Sequence, residues 1–354
     1  MRLTFERLKS LIIFAALLLN ATLSPTATAG VGFSRDAIPD PVASDTGGKL
    51  EYAIWYPSDV PSSVSRVGPY EFAATLDAPV AAGRYPLIVL SHGSGGTPLG
   101  HRNIAIALAN AGFIAAAPMH PRDNFRDSSG VGHRIVWDGR PLQMRAVVDH
   151  MLSSTAWSPH VDAKRIGAFG FSLGGYTVLA LIGARPSIKE LIRHCDKNKS
   201  LDPLCARSGG LATAMREIYK NEYTTAPLDL GDPRICAAVV ADPVAALFTR
   251  ESLAQIKIPS LEIYLPEHEN ELTGQFHGQN VADTLRANTD VQVKIDVFEN
   301  AQHYSFIAPF PDSIAASLPK AFKNRTGFDA QSFHAALEQR VVNYFEHNLQ
   351  ACLR

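Results

Sequence analysis

The distribution of apolar positions divides the chain into short, strongly hydrophobic runs separated by longer amphipathic ones. Leu50 to Tyr56 alternates and stops at Pro57, as a half-exposed strand does. Residues 57–84 are rich in Pro, Ser, Ala and Gly and predict a long surface loop. A regular order then sets in. Pro86–Ser91, Phe113–Ala117 and Arg165–Phe171 read as buried strands; Asn103–Ala111, Leu142–Leu152 and Leu173–Ile182 read as the helices between and after them. Residues 185–233 interrupt the rhythm with a polar, charged stretch holding short helical patches. Strands return at Ile235–Ala241, Ser260–Leu265 and Val291–Phe298, with a helix near Val281–Ala287, and an amphipathic helix over Phe333–Leu349 closes the chain. Alternation of short apolar strands with helices predicts an α/β fold: one mostly parallel sheet covered by helices on both faces. Residues 30–354 are expected to form a single domain, with 185–233 as a helical lid insertion.

The first residues follow another pattern. Arg2, Arg7 and Lys9 precede an unbroken apolar run from Leu11 to Leu19, and Ala27-Thr28-Ala29 places small residues where a signal peptidase inspects them. Residues 1–29 are therefore expected to be a cleaved signal peptide, with Gly30 first in the mature, periplasmic or extracellular chain. The run is shorter than the ~20 residues that a spanning helix needs, and no Cys follows it, so no stable membrane anchor is expected. In an oxidising compartment Cys195 and Cys205, close together in one polar stretch, are expected to pair; Cys236 and Cys352 either pair or stay free. The four cysteines have no metal-ligand spacing, and neither metal nor cofactor is expected. Of 354 residues 46% are apolar and 19% charged, with a formal net charge of −1. Without a basic run, nucleic acid is not an expected partner.

The chemistry centres on Gly170-Phe171-Ser172-Leu173-Gly174. A G-x-S-x-G pentapeptide alone is weak. Here a buried strand runs straight into it and an apolar helix leaves it, the setting that a nucleophile elbow requires. Ser172 then stands at the end of a strand and the start of a helix, where developing negative charge is favoured. The plainer reading is a helix N-cap serine. A serine nucleophile needs a base and an acid that orients the base. In a sheet of this type these follow in the order Ser, acid, His. His303, in the loop after the last strand, suits the base best. His268 and His277 lie between the preceding strand and helix; His334 and His347 fall on the final helix and are expected at its surface. For the acid, Asp242 directly ends a strand, but the next strand leads into Glu267 and Glu269, and local reasoning leaves both positions open. Asp242 also has a bland alternative, as an N-cap or turn residue before a helix around Val244–Phe248. Oxyanion donors are expected at the backbone N–H of Leu173 and in the glycine-rich loop Ser91–Gly96, with Ser94 as the best single candidate. His120 and Arg122, after the second strand of the alternating series, lie near the crevice or serve structure.

Taken together, Ser91-His92-Gly93-Ser94-Gly95-Gly96, Pro118 to Asn124, Val161 to Gly175, Ala241-Asp242-Pro243, Gln302 to Phe306 and Gly327 to His334 resemble the α/β-hydrolase branch of predicted dienelactone hydrolases, close to platelet-activating-factor acetylhydrolases. The resemblance runs from about Tyr52 to the end. It implies Asp242 as the acid and Ser94 and Leu173 as the oxyanion donors. Where related chains have Gly-x-x-Asp, this one has Pro266-Glu267-His268-Glu269, which weakens the alternative acid without removing it. Members with true dienelactone hydrolase activity use a cysteine nucleophile, and position 172 is serine. The expectation is therefore a carboxylic ester hydrolase acting on a small-molecule ester or lipid-like substrate. Amidase or peptidase action with the same three residues, and a non-catalytic binding protein on the same fold, are the competing readings.

Overall fold

The computed structural model describes residues 30–43, 47–207, 215–216, 218–220 and 229–352. The expected leader, residues 1–29, lies outside them. Eleven strands occur among the described residues: β1 (Gly30–Pro39), β2 (Lys49–Ser58), β3 (Val64–Val67), β4 (Tyr70–Ala73), β5 (Thr75–Leu76), β6 (Tyr85–Ser91), β7 (Ile114–Pro118), β8 (Val161–Phe171), β9 (Ile235–Ala241), β10 (Ser260–His268) and β11 (Gln292–Gln302). Nine of them form one sheet in the order β11-β10-β9-β8-β6-β7-β2-β1-β5, while β3 and β4 make a separate hairpin. The pairings from β11 across to β7 are parallel; β2 is antiparallel to both β7 and β1. Strands β6, β7 and β9, and β8 from Ile166 onward, are nearly all apolar because both faces are covered.

Two cores result. On one face Met144, Val147, Val148 and Met151 of the helix Gly139–Ser153, over β6 to β8, and Val281 and Leu285 of the helix Gly278–Asn288, over β10 and β11, belong to one continuous core. On the other, Ile104 and Leu108 of the helix Arg102–Asn110 meet Leu337, Val341 and Phe345 of the helix Ala330–Ala351. The helix Leu173–Leu181 is buried along its whole length, so it has no polar face to betray an orientation.

Several expectations change. Strand β2 is covered on both faces from Tyr52 onward, not half exposed, since Tyr52, Ile54 and Tyr56 enter one core and Ala53 and Trp55 the other. Strand β1 was not foreseen, and 57–84 is not a plain loop but carries β3, β4 and β5. No helix forms at 244–248, where the chain makes a turn, so Asp242 caps nothing there. His334 is buried, because the final helix packs on the helix Arg102–Asn110 and sets it near Arg102 and His101; His347 is exposed as expected.

Of the 185–233 stretch, the structure describes a helix Ile188–Asn198 and a short one Pro203–Arg207. Cys195 and Cys205 are disulfide-bonded, and so are Cys236 and Cys352, which tie the end of the last helix to β9. Asp202 accepts from His194 (2.7 Å) and His277 (2.9 Å), and His277 Nδ1 accepts the N–H of Ala245 at 3.0 Å, which anchors the insertion to the segment after β9. No helix among the described residues is long and apolar enough to cross a membrane.

Candidate active site

In an open parallel sheet the crevice lies at the carboxyl ends of the strands, where the strand order reverses. Here β6 is that point: the chain proceeds from it to β7 on one side and to β8 on the other. The ends of β6, β8, β9 and β11 lead into the Ser91–Gly96 loop, Ser172, Asp242 and His303.

Ser172 sits at φ 56°, ψ −117°, in a turn forced by the direct passage from β8 to the helix that follows. The flanking glycines are sterically required. A Cβ at Gly170 would lie 2.1 Å from the carbonyl oxygen of Gly174, and one at Gly174 would lie 2.0 Å from that of Ser91. Asp242 also has positive φ, 40°. The two turns are stitched together, Ser172 N–H donating to Ala241 O (2.9 Å) and Val244 N–H to Ser172 O (3.0 Å). The strain in each turn is therefore held by its neighbour.

His303 opens a short 3-10 turn, His303–Phe306. Its N–H donates to Asn270 Oδ1 (3.3 Å) and its ring packs 4.7 Å from that of Phe171. Imidazole Nδ1 lies 2.5 Å from Asp242 Oδ2, and Nε2 lies 3.0 Å from Ser172 Oγ. Asp242 and His303 are buried, at 2% and 4% exposure. A carboxylate only accepts, so the Nδ1 contact keeps the ring proton there and leaves the Nε2 lone pair toward the hydroxyl. The other acidic candidates are elsewhere: Glu267 Oε2 accepts the N–H of Asn300 at 2.6 Å, and both Glu267 and Glu269 are exposed.

Ser94 and Leu173 both border this point. Among the described residues neither backbone N–H has an acceptor, whereas the next N–H groups along the glycine loop are used, Gly95 by Asp123 (3.0 Å) and Gly96 by Gly93 O (3.1 Å). His120 is fully buried, with its ring between Ser91 Oγ and Gln143 Oε1; burial pushes its pKa well below the ordinary imidazole value. Arg122 is exposed and reaches Ser129. Neither borders the cavity over Ser172.

That cavity is about 980 Å³ and runs between the β3–β4 hairpin and the segment after His303. Its walls include Tyr70, Phe125, Phe310, Ile314, Leu318 and Phe322; Phe322 stacks on Tyr304 at 3.8 Å. None of the described residues of the 185–233 stretch lines it. The aromatic wall was missed in the sequence because residues 304–322 carry no regular period. A His194–Asp202–Cys205 cluster has metal-ligand proximity, but the Cys205 sulfur is in a disulfide and Asp202 is engaged by two imidazoles.

Comparison with known proteins agrees with this architecture. Residues 72–196 match the family described as the dienelactone hydrolase family. A ferulic acid esterase from Streptomyces cinnamoneus superposes with a TM-score of 0.58 at 17% identity, covering 93% of each chain. A dienelactone hydrolase-like promiscuous phosphotriesterase from metagenomic libraries gives 0.52 at 15% identity, covering 89% of this chain and 99% of its own. No curated protein matches the chain. The fold is that of an α/β hydrolase. Over residues 72–196, about a third of its length, the chain is similar to the dienelactone hydrolase family.

Proposed function

We propose that this protein is an exported serine hydrolase that cleaves carboxylic esters through an acyl-enzyme on Ser172. The observation that carries the reading is the buried line Asp242–His303–Ser172, with contacts of 2.5 Å and 3.0 Å. Ser172 Oγ attacks the ester carbonyl while His303 Nε2 takes its proton. Asp242 keeps the imidazole in the accepting tautomer and balances the imidazolium that forms. The N–H groups of Ser94 and Leu173 receive the oxyanion. His303 then returns the proton to the departing alcohol, and a water repeats the sequence to release the acid.

The mainly apolar and aromatic cavity supports an ester with one bulky apolar part, since such walls reward burial of apolar area. Two disulfides support export, with residues 1–29 as the leader.

The test is reaction of the protein with a fluorophosphonate and turnover of a panel of aryl esters. Ser172→Ala is expected to abolish labelling and to lower kcat by ~10⁶-fold. Labelling that survives the substitution overturns the assignment.

A further inference from the structure

We propose that the buried Arg140–Asp123 ion pair is a positioning element that holds the two oxyanion N–H donors, those of Ser94 and Leu173, in register with each other. The inference rests on the ester-hydrolase reading of Ser172 and adds to it the group that sets the geometry of its oxyanion hole.

Arg140 lies on the helix Gly139–Ser153 and is 1% exposed. Its guanidinium reaches both sides of the crevice. NH1 donates to Asp123 Oδ2 at 2.6 Å; NH2 donates to Ser91 Oγ at 3.2 Å and to the carbonyl of His92. Asp123 passes the link on, because its other oxygen accepts Ser94 Oγ at 2.7 Å and Gly95 N–H at 3.0 Å. On the opposite side Arg140 Nε donates to Thr177 Oγ1 at 3.1 Å, and that hydroxyl donates to the carbonyl of Leu173 at 2.9 Å. One rigid planar cation thus grips the residue behind each donor: Ser94 by its side chain, Leu173 by its carbonyl.

The loop needs such a grip. Gly93, Gly95 and Gly96 have no side chains to pack, and Gly95 has φ +66°. Hydrophobic burial alone does not hold a loop of this composition in one conformation. Stability does not account for the pair either, since well-packed apolar residues often serve as well as a buried ion pair or better. Arg rather than Lys fits, as at least four acceptors in several directions require the fork of donors. Burial opposes ionisation of Asp123, but Arg140 and the loop donors outweigh it and hold its carboxyl below the usual range, so it remains an acceptor at neutral pH. The charge of Arg140 also prevents this carboxylate from repelling an oxyanion.

Three variants separate positioning from simple structural support. Ser94→Ala keeps the N–H donor and cuts one arm; Thr177→Val keeps the shape and cuts the other; Asp123→Asn removes the charge at the junction. The expected result is a fall in kcat of about 10-fold for each single arm and of ~10²–10³ for Asp123→Asn, the loss that removal of one oxyanion donor brings, with KM nearly unchanged. Affinity for an aryl trifluoromethyl ketone, which forms a tetrahedral oxyanion on Ser172, falls in step with kcat/KM. Affinity for the matching methyl ketone does not move. If folded Ser94→Ala and Thr177→Val proteins keep kcat, or weaken both ketones alike, the positioning role is wrong. These two variants decide the matter even if Asp123→Asn does not fold. A parent protein inert to fluorophosphonate would instead overturn the esterase reading, so the two failures are distinguishable.

Discussion

Asp242→Asn is the perturbation whose size follows most directly from the structure. In the parent protein Asp242 Oδ2 lies 2.5 Å from His303 Nδ1, and both residues are buried. In the proposed mechanism, His303 becomes a cation beside a carboxylate as Ser172 attacks. Two unit charges about 4 Å apart at an effective dielectric of about 20 attract by about 4 kcal/mol. Loss of that attraction in the transition state is worth about 10³ in rate. Asparagine adds a second penalty, because its amide donates to Nδ1 and moves the ring proton to Nε2, where it faces Ser172 and blocks acceptance. Together these bring the expected loss in kcat to ~10⁴. The assay is kcat/KM with a p-nitrophenyl ester, for Asp242→Asn beside Glu267→Gln and Glu269→Gln. The glutamates are exposed and touch no imidazole, so each change is expected to stay within about threefold, as surface substitutions do. If either glutamine variant lost as much as Asp242→Asn, or if Asp242→Asn kept a tenth of the parent rate, the reasoning would fail.

The other predictions concern stability and specificity. Burial lowers the pKa of His101 to about 3 and of His334 to about 4, and it lowers that of His92 as well. Unfolded histidines titrate near 6.5, so between these values the unfolded chain binds more protons. The stability contributed by the neutral rings is complete above pH ~6.5 and is lost as pH falls, by up to about 1.4 kcal/mol per pH unit for each ring; urea midpoints that stay flat from pH 6.5 to 5 contradict this. Removal of the Cys236–Cys352 bridge, which spans 116 residues, is expected to cost about 2 kcal/mol more than removal of Cys195–Cys205, which spans 10, from the loop lengths alone. Urea unfolding of the two double-alanine proteins checks the order, and equal losses would count against the chain-entropy argument. Phe322→Ala opens the stack on Tyr304 and is expected to raise KM about fivefold for bulky acyl esters while leaving acetyl esters alone; a uniform change across the panel would show that this wall does not select substrate.

Much of the frame was legible because burial writes itself into composition. Strands β6, β8 and β9 lie between helical layers; their apolar runs mark β6 and β9 almost residue by residue and β8 from Arg165 on, while its polar start, Val161–Lys164, was not read as strand. The strand-turn-helix setting of Ser172 is local and was visible for the same reason. Strand β1 was not, since its Ser34-Arg35-Asp36 stretch is partly exposed and breaks the pattern. The helix bearing Arg140 shows another limit. An arginine next to Pro141-Leu142-Gln143 reads as a solvated side chain, and only the arrival of Asp123, Thr177 and the His92 carbonyl from three other segments makes it an interior cation.

The sequence by itself determined the fold class, the position of Ser172 on a strand-to-helix turn, and a short set of partners for it: one favoured histidine and acids at 242, 267 or 269. Each of these was read from short local patterns and from the order of the elements along the chain. Local sequence left the acid open and only the family resemblance favoured Asp242; the tertiary structure brings Asp242 to the imidazole, because β9 lies directly beside β8 while Glu267 and Glu269, at and just past the end of β10, are exposed. It also decided that Cys236 meets Cys352, that the cavity is walled by the β3–β4 hairpin and the 304–322 segment, and that Arg140 grips both sides of the crevice. These are meetings of residues tens to more than a hundred positions apart. No local preference encodes them; they follow from the order and register in which the strands of the sheet come together.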